Sequence, residues 1–193
     1  MIKAYISLYM RTLVIHPKDS STDFLKPIYS RIQNKTVIWG GVNKAQLRKL
    51  IENNDRVIML GHGSPWGLLN VGKFPMTGNY IIDFSYSDIL SVKKGNVYIW
   101  CHANQFVQRH GLNGFSSGMF ISEPTEAFSF GFYDCDPNLI EESNDNFATI
   151  VSQHIHQPLQ VLYKNVLQDY KKLGQSNPIA QYNFKRLYLN SNQ

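Results

Sequence analysis

From Thr12 to Trp100 the chain repeats one alternation, a short β-rich apolar run followed by a segment whose apolar residues recur with helical period. Thr12 to Ile15, Thr36 to Trp39, Arg56 to Leu60 and Val97 to Trp100 read as strands. Their near-continuous hydrophobicity suits strands buried on both faces. Phe24, Leu25, Ile28 and Ile32 form a helical stripe despite Pro27, and Leu47, Leu50 and Ile51 form another. The second stripe follows the Gly40-Gly41 turn and an Asn43–Gln46 capping box. Strands alternating with helices specify an α/β fold: a three-layer sandwich with a mainly parallel central sheet and helices on both faces.

Between the third and fourth core strands, Trp66 to Asn70 and Asn79 to Phe84 are expected to pair as a hairpin around Gly72 to Gly78, with a short helix over Tyr86 to Leu90. Beyond Cys101 a helix is expected to run to about His110, followed by the glycine-punctuated segment Gly111 to Gly118, read as a loop. A fifth strand is then expected at Met119 to Ser122, and a helix over Glu123 to Phe130 with Pro124 at its first position. Gly131 to Asp145 reads as a loop. Phe147, Ile150, Val151 and His154 share a helical face, which Leu159, Leu162, Val166 and Tyr170 continue after Pro158 has divided the helix. After the break at Gly174 to Pro178, the tail from Ile179 to Leu189 has the pattern of a helix or an edge strand.

A chain of 193 residues, 43% hydrophobic, can bury a full core and is expected to form one domain spanning 1–193. The formal charge of +5 is spread over separated pairs such as Lys93-Lys94, Lys171-Lys172 and Lys185-Arg186. No nucleic-acid reader motif accompanies them, so no specific nucleic-acid partner is expected. Cys101 and Cys135 are too few to build a disulfide scaffold and fit a reducing, cytoplasmic setting, although a bridge between them stays open. The apolar stretch Ala4 to Met10 lacks a convincing signal-peptide cleavage site. No run approaches the roughly 18 apolar residues of a spanning helix, so no membrane association is expected.

Two core strands end on residues that carry chemistry. Val57 to Gly63 reads VIMLGHG, an apolar run closing on His62 between two glycines, and Asn96 to His102 reads NVYIWCH, closing on Cys101. In a parallel sheet, ligands gather beyond the carboxyl ends of the strands, where both residues stand. An imidazole within reach of a thiol takes its proton or stabilises the thiolate, which makes the sulfur a nucleophile. Gly61 admits a sharp turn. Gly63 leaves its backbone N–H unobstructed and, with the Cys101 N–H, suited to receiving oxyanion charge.

An apolar strand ending in His-Gly, followed by one ending in Cys, resembles the caspase-like superfamily of cysteine peptidases, which includes caspases, metacaspases, legumain, gingipain and separase. The resemblance covers 12–122, hairpin included. It implies His62 as general acid/base, Cys101 as nucleophile, Gly63 as an oxyanion donor, a peptide or protein substrate, and no metal or organic cofactor. The chain has Ile-Trp-Cys-His where caspases have Gln-Ala-Cys, so cleavage after aspartate is not implied, and Trp100 puts a large ring beside the thiol. The same likeness accommodates an alternative, a catalytically inactive interaction domain that keeps the cleft.

Other candidates carry less. His102 is expected mainly to start a helix. His62, Cys101, His102 and His110 do not match the spacing of a structural zinc motif, and His154 and His156 diverge on a helix. Asp83, Glu123, Glu126, Asp134 and Asp136 are acids able to line the cleft or to cap helices. Gly111 to Gly118 lacks the Lys-Ser/Thr of a phosphate loop, no Gly-x-Ser-x-Gly elbow occurs, and Phe115 and Phe128 are expected in the core.

Overall fold

The computed structural model describes residues 10–71, 74–75 and 78–191. The N-terminal stretch read as no signal peptide lies outside them apart from Met10, as does part of the Gly72–Gly78 turn.

The strands are β1 (Thr12–Ile15), β2 (Lys35–Ile38), β3 (Arg56–Leu60), β4 (Gly63–Ser64), β5 (Gly67–Leu69), β6 (Tyr80–Ile82), β7 (Val97–Ile99), β8 (Gly114–Ser117) and β9 (Leu187–Asn190). The helices are α1 (Pro27–Ser30), α2 (Lys44–Glu52), α3 (Ser87–Ser91), α4 (Ala103–Arg109), α5 (Pro124–Ser129), α6 (Pro137–His154), α7 (Leu159–Leu173) and α8 (Pro178–Phe184). A six-stranded sheet runs β2-β1-β3-β7-β8-β9, parallel except for β9 against β8, and β4-β5-β6 form a small separate antiparallel sheet.

Helices cover both faces, giving the expected three-layer sandwich. Val14, Ile58, Leu60, Val97 and Ile99 point into one core layer with residues of α1, α6 and α7. Leu13, Ile15, Val57, Met59, Tyr98 and Trp100 point into the other, with residues of α2, α3 and α4. This period-2 division explains why the central strands read as unbroken apolar runs, since each face has its own core.

Local chemistry sets the element ends. The Asn43–Gln46 capping box forms as read, with Asn43 N–H donating to Gln46 Oε1 at 2.9 Å and Gln46 N–H to Asn43 Oδ1 at 3.0 Å. The hairpin forms as β5 and β6. Pro158 separates α6 from α7, and the tail supplies both a helix, α8, and an antiparallel edge strand, β9.

Three expectations are corrected. The fifth parallel strand is Gly114–Ser117, inside the segment read as a loop, and not Met119 to Ser122. A Cβ on Gly114 would sit 2.5 Å from Tyr98 Cε2 and 2.7 Å from Asn96 O, so glycine is what lets β8 lie against β7. At 119–122 the chain has left the sheet. Its backbone is paired to a side chain there, Ile121 N–H donating to Asn183 Oδ1 and Asn183 Nδ2 donating to Ile121 O, each at 2.8 Å. Next, α6 begins inside the expected 131–145 loop, because Asp136 accepts from Asn138 N–H at 2.9 Å and Pro137 takes the first helical position. Finally, Phe128 is 61% exposed on the outside of α5, edge-on to Tyr133, whereas Phe115 is in the core as expected.

Asn96, fully buried, ties the base of β3 to that of β7. Its Oδ1 accepts from Val57 N–H at 3.0 Å, and its Nδ2 donates to Leu90 O at 3.1 Å and to Tyr98 Oη at 3.0 Å. Asn96→Ala strands these buried partners and is expected to cost about 2–3 kcal/mol in chemical denaturation. A loss of under about 0.5 kcal/mol, the range of ordinary surface changes, would contradict this role.

Candidate active site

β3 and β7 are hydrogen-bonded neighbours in parallel register, Ile58 opposite Val97 and Leu60 opposite Ile99, and Gly61 N–H extends the pairing to Ile99 O at 3.0 Å. His62 and Cys101 therefore leave the sheet at the same end. Both line one narrow cleft of about 30 Å³, together with Thr22, Phe24, Ser117, Phe120 and Ser122. Gly61 turns the chain with φ at 141°.

The imidazole is oriented by a loop that sequence reasoning passed over, the turn after β1. Asp19 caps the 3-10 turn Ser20–Leu25, its Oδ1 accepting from Ser21 N–H at 3.0 Å and from Ser21 Oγ–H at 2.9 Å. With its hydroxyl proton committed to Asp19, Ser21 Oγ is the acceptor in its 2.7 Å contact with His62 Nε2. Asp19 Oδ2 lies 3.5 Å from the same nitrogen. His62 thus carries a proton on Nε2, and Nδ1 is the nitrogen that Ser21 does not engage. The Ser21 N–H, its hydroxyl and the nearby His62 hold the Asp19 carboxyl below its ordinary range.

The sulfur has different neighbours. Cys101 Sγ lies 3.8 Å from Phe120 O and 3.8 Å from Glu126 Oε1. Among the described residues no hydrogen bond joins it to His62. Burial, then the Glu126 charge, push the thiol up to about 11. Glu126 is fixed in place, its Oε2 accepting from Ser122 N–H at 2.7 Å, Ser122 Oγ–H at 3.0 Å and Glu123 N–H at 3.1 Å. Of the acids read as possible cleft residues, Glu126 reaches the thiol. Asp83, Glu123 and Asp136 sit at N-caps.

Trp100 turns away from the thiol. Its ring packs in the opposite core layer, Nε1 donating to Ser64 O at 3.0 Å. A Cβ on Gly63 would lie 2.0 Å from Trp100 Cδ1, so the second glycine of the motif is also a packing requirement. Leu69 N–H donates to His62 O at 2.8 Å, which makes Gly63 and Leu68 a non-hydrogen-bonded pair and turns the Gly63 N–H to the open edge of the small sheet. Ser117 steadies the turn into Cys101, its Oγ accepting from Trp100 N–H at 3.1 Å and donating to Trp100 O at 2.8 Å. His102 follows as the N-cap of α4 at φ 66°, the left-handed region, and makes no side-chain cap bond. It holds the helix-start position expected of it.

No family model, curated protein or solved structure matches the chain. The likeness to the caspase-like group accordingly rests on architecture, a mainly parallel sheet between helical layers, and on the strand-tip residues.

Cys101 and Cys135 are free thiols. Among the described residues no three His, Cys, Asp or Glu side chains cluster to hold a metal, and no helix is long and apolar enough to cross a membrane. His154 instead contacts Asp169, Nε2 to Oδ2, at 3.0 Å.

His16 follows β1 directly and is absent from the sequence reading, because no motif marks it and its partners Thr22 and Tyr29 lie in the turn and helix beyond. It is buried, with Nε2 3.1 Å from Thr22 Oγ1 and Nδ1 3.1 Å from Tyr29 Oη. Thr22 gives its own hydroxyl proton to Asp19 O, so His16 donates from Nε2 and accepts at Nδ1, as a neutral ring. Burial lowers it to about 4.

Two outcomes follow from these environments. Alkylation of Cys101 by iodoacetamide is expected to rise steadily with pH toward about 11, with about one thiol in a thousand ionised at pH 8. Glu126→Gln removes the like charge and shifts the curve to lower pH, whereas a wild-type plateau near pH 8 would contradict this account. Separately, His16 lowered from 6.5 to about 4 leaves stability complete above 6.5 and drains it as pH falls to about 4, because only the unfolded chain takes the proton there. The loss is about 3 kcal/mol. Denaturation at a series of pH values should show this slope reduced in His16→Gln.

Proposed function

We propose that the chain is a cysteine endopeptidase that hydrolyses peptide bonds through a thioester on Cys101, with His62 as general acid/base. The observation that carries the reading is that His62 and Cys101, from neighbouring parallel strands, line the same cleft at the carboxyl end of the sheet. Cys101 Sγ attacks the peptide carbonyl carbon, and its proton passes to His62 Nδ1, the nitrogen left free by the Ser21 bond. His62 then gives that proton to the departing amine as the C–N bond breaks. A water molecule, deprotonated by His62, attacks the thioester, and the proton returns to sulfur as the C–S bond breaks. The N–H groups of Gly63 and Cys101 serve as the donors for the tetrahedral oxyanion. Asp19, through Ser21, steadies the imidazolium formed after each proton transfer.

A specific observation favours the second reading, an inactive interaction domain. A cleft of about 30 Å³ holds about one water, and the thiol is held protonated beside a carboxylate. The peptidase reading therefore requires the rim formed by Phe24 and Phe120 to part for a substrate.

Digestion of a mixed peptide library separates the two. Cleavage is expected to disappear in Cys101→Ala and to fall by about 10²–10⁴ in His62→Ala. Failure of the folded wild-type chain to cleave any peptide, or to form an adduct with a peptidyl acyloxymethyl ketone, would leave the interaction domain standing.

A further inference from the structure

The opposite end of the sheet holds a second and larger cleft, of about 520 Å³. Arg56, the first residue of β3, lies at one side, with Lys93, Lys94 and His156 beside it, and no Asp or Glu is among the described lining residues. The start of α7 forms another side through Pro158, Leu159 and Gln160.

The cleft combines two independent features. Arg56 is only 4% exposed, and among the described residues it has no carboxylate partner. Its Nε donates to Thr12 Oγ1 at 3.2 Å and its Nη1 to Ile155 O at 2.7 Å, while Nη2 has no partner. The neighbouring acid, Asp55, is already paired with Arg11 at 3.0 Å. A buried cation without a counter-charge is costly to a fold unless something else offsets it. The second feature is the N-terminus of α7, a helix of 15 residues with no side-chain cap and no acid in its first turn. Pro158, Leu159 and Gln160 at that start line the same space, which puts the positive end of the helix dipole beside it.

Lys93 adds to this imbalance. Lys93 Nζ donates to Glu52 O at 2.9 Å and Asn54 O at 2.7 Å, both neutral carbonyls that leave its charge in place. His156, held below its ordinary range by burial and then by the nearby Arg56, adds no charge, and its buried Nδ1 has no partner among the described residues. Met10, Pro158 and Leu159 supply an apolar wall.

We propose that this cleft binds a small organic phosphate monoester, the phosphate seated between Arg56, Lys94 and the start of α7 and the organic group against Met10, Pro158 and Leu159. The volume suits a small-molecule ligand. A dianionic phosphate answers both the unpartnered guanidinium and the uncapped helix. The site is independent of the His62–Cys101 chemistry.

Isothermal titration of the full chain with phenyl phosphate tests the proposal, with inorganic phosphate and phenol as separate arms. Saturable binding of phenyl phosphate is expected, tighter than that of inorganic phosphate, and none of phenol. Lys94→Gln, an exposed change that leaves the fold intact, is expected to weaken binding about tenfold, the loss of one charge-assisted bond. Arg56→Gln should abolish it, and if that variant does not fold it is replaced by Gln160→Glu, an exposed change that puts a like charge at the start of α7 and should weaken binding at least tenfold. Cys101→Ala should bind as the wild type does. Absence of saturable binding up to millimolar phenyl phosphate, unchanged affinity in Lys94→Gln, or equal affinity for phenol would overturn the proposal.

Discussion

The parallel pairing of β3 with β7 is the interaction on which the remainder of the molecule depends. Each strand alternates its side chains between two separate cores, so Ile58 and Leu60 share a layer with Val97 and Ile99, while Met59 shares the other with Tyr98 and Trp100. A slip of one residue in either strand would exchange the layers and bury the wrong surface on both faces. The same parity fixes what happens at the strand tips. With Leu60 opposite Ile99, the next residues out are Gly61 and Trp100, and then His62 and Cys101. Trp100 goes to its own core, over the bare Cα of Gly63, and so leaves the imidazole and the sulfur to the shared cleft.

The two ends of the sheet differ in how they handle charge. At the carboxyl end the two acids of the cleft have designated neighbours: Asp19 receives Ser21 and His62, and Glu126 receives the Ser122 and Glu123 N–H groups. At the amino end Arg56 and His156 each keep a buried nitrogen without a partner, and the helix that starts there has no cap. Packing does not require this difference, since a carboxylate near Arg56 would have satisfied it as Asp55 satisfies Arg11. The phosphate proposed above would supply that counter-charge at the amino end.

Much of this was legible in the sequence, and the exceptions share a cause. β1, β3 and β7 are buried on both sides and announce themselves as apolar runs, and the glycines around His62 mark the chain's exit from the sheet. β8 was concealed because Gly114, Ser116 and Ser117 are small or polar. Its strand identity comes from fitting beside Tyr98 and from the Ser117 bonds to Trp100, contacts that no single-sequence pattern displays. The start of α6 was legible in Asp136-Pro137, a cap followed by a first-turn proline, but the turn-forming residues before it obscured the signal. Asp19 and Ser21 do not show in the sequence because their relation to His62 spans a strand crossing, and Glu126 stands there only as one of five acids able to line the cleft, with nothing local to single it out. Sequence distance conceals such partners, whereas periodicity reveals the scaffold that brings them together.

The resting arrangement constrains how any chemistry at Cys101 can begin. With the thiol pushed up to about 11, a thiolate at neutral pH is scarce, so on the proposed peptidase reading attack is coupled to proton removal by the imidazole. That coupling competes with the existing contacts of sulfur to Phe120 O and Glu126 Oε1. Glu126 cannot simply swing aside, because three donors grip its other oxygen, so the sulfur has to move instead, by rotation about its own side chain toward His62. Rotation needs room that a cleft of about 30 Å³ does not offer while Phe120 remains in place. Displacement of Phe120 would remove the carbonyl that holds the thiol and open the cleft in one motion. On the proposed peptidase reading, substrate entry and release of the thiol from Phe120 O would then be one event.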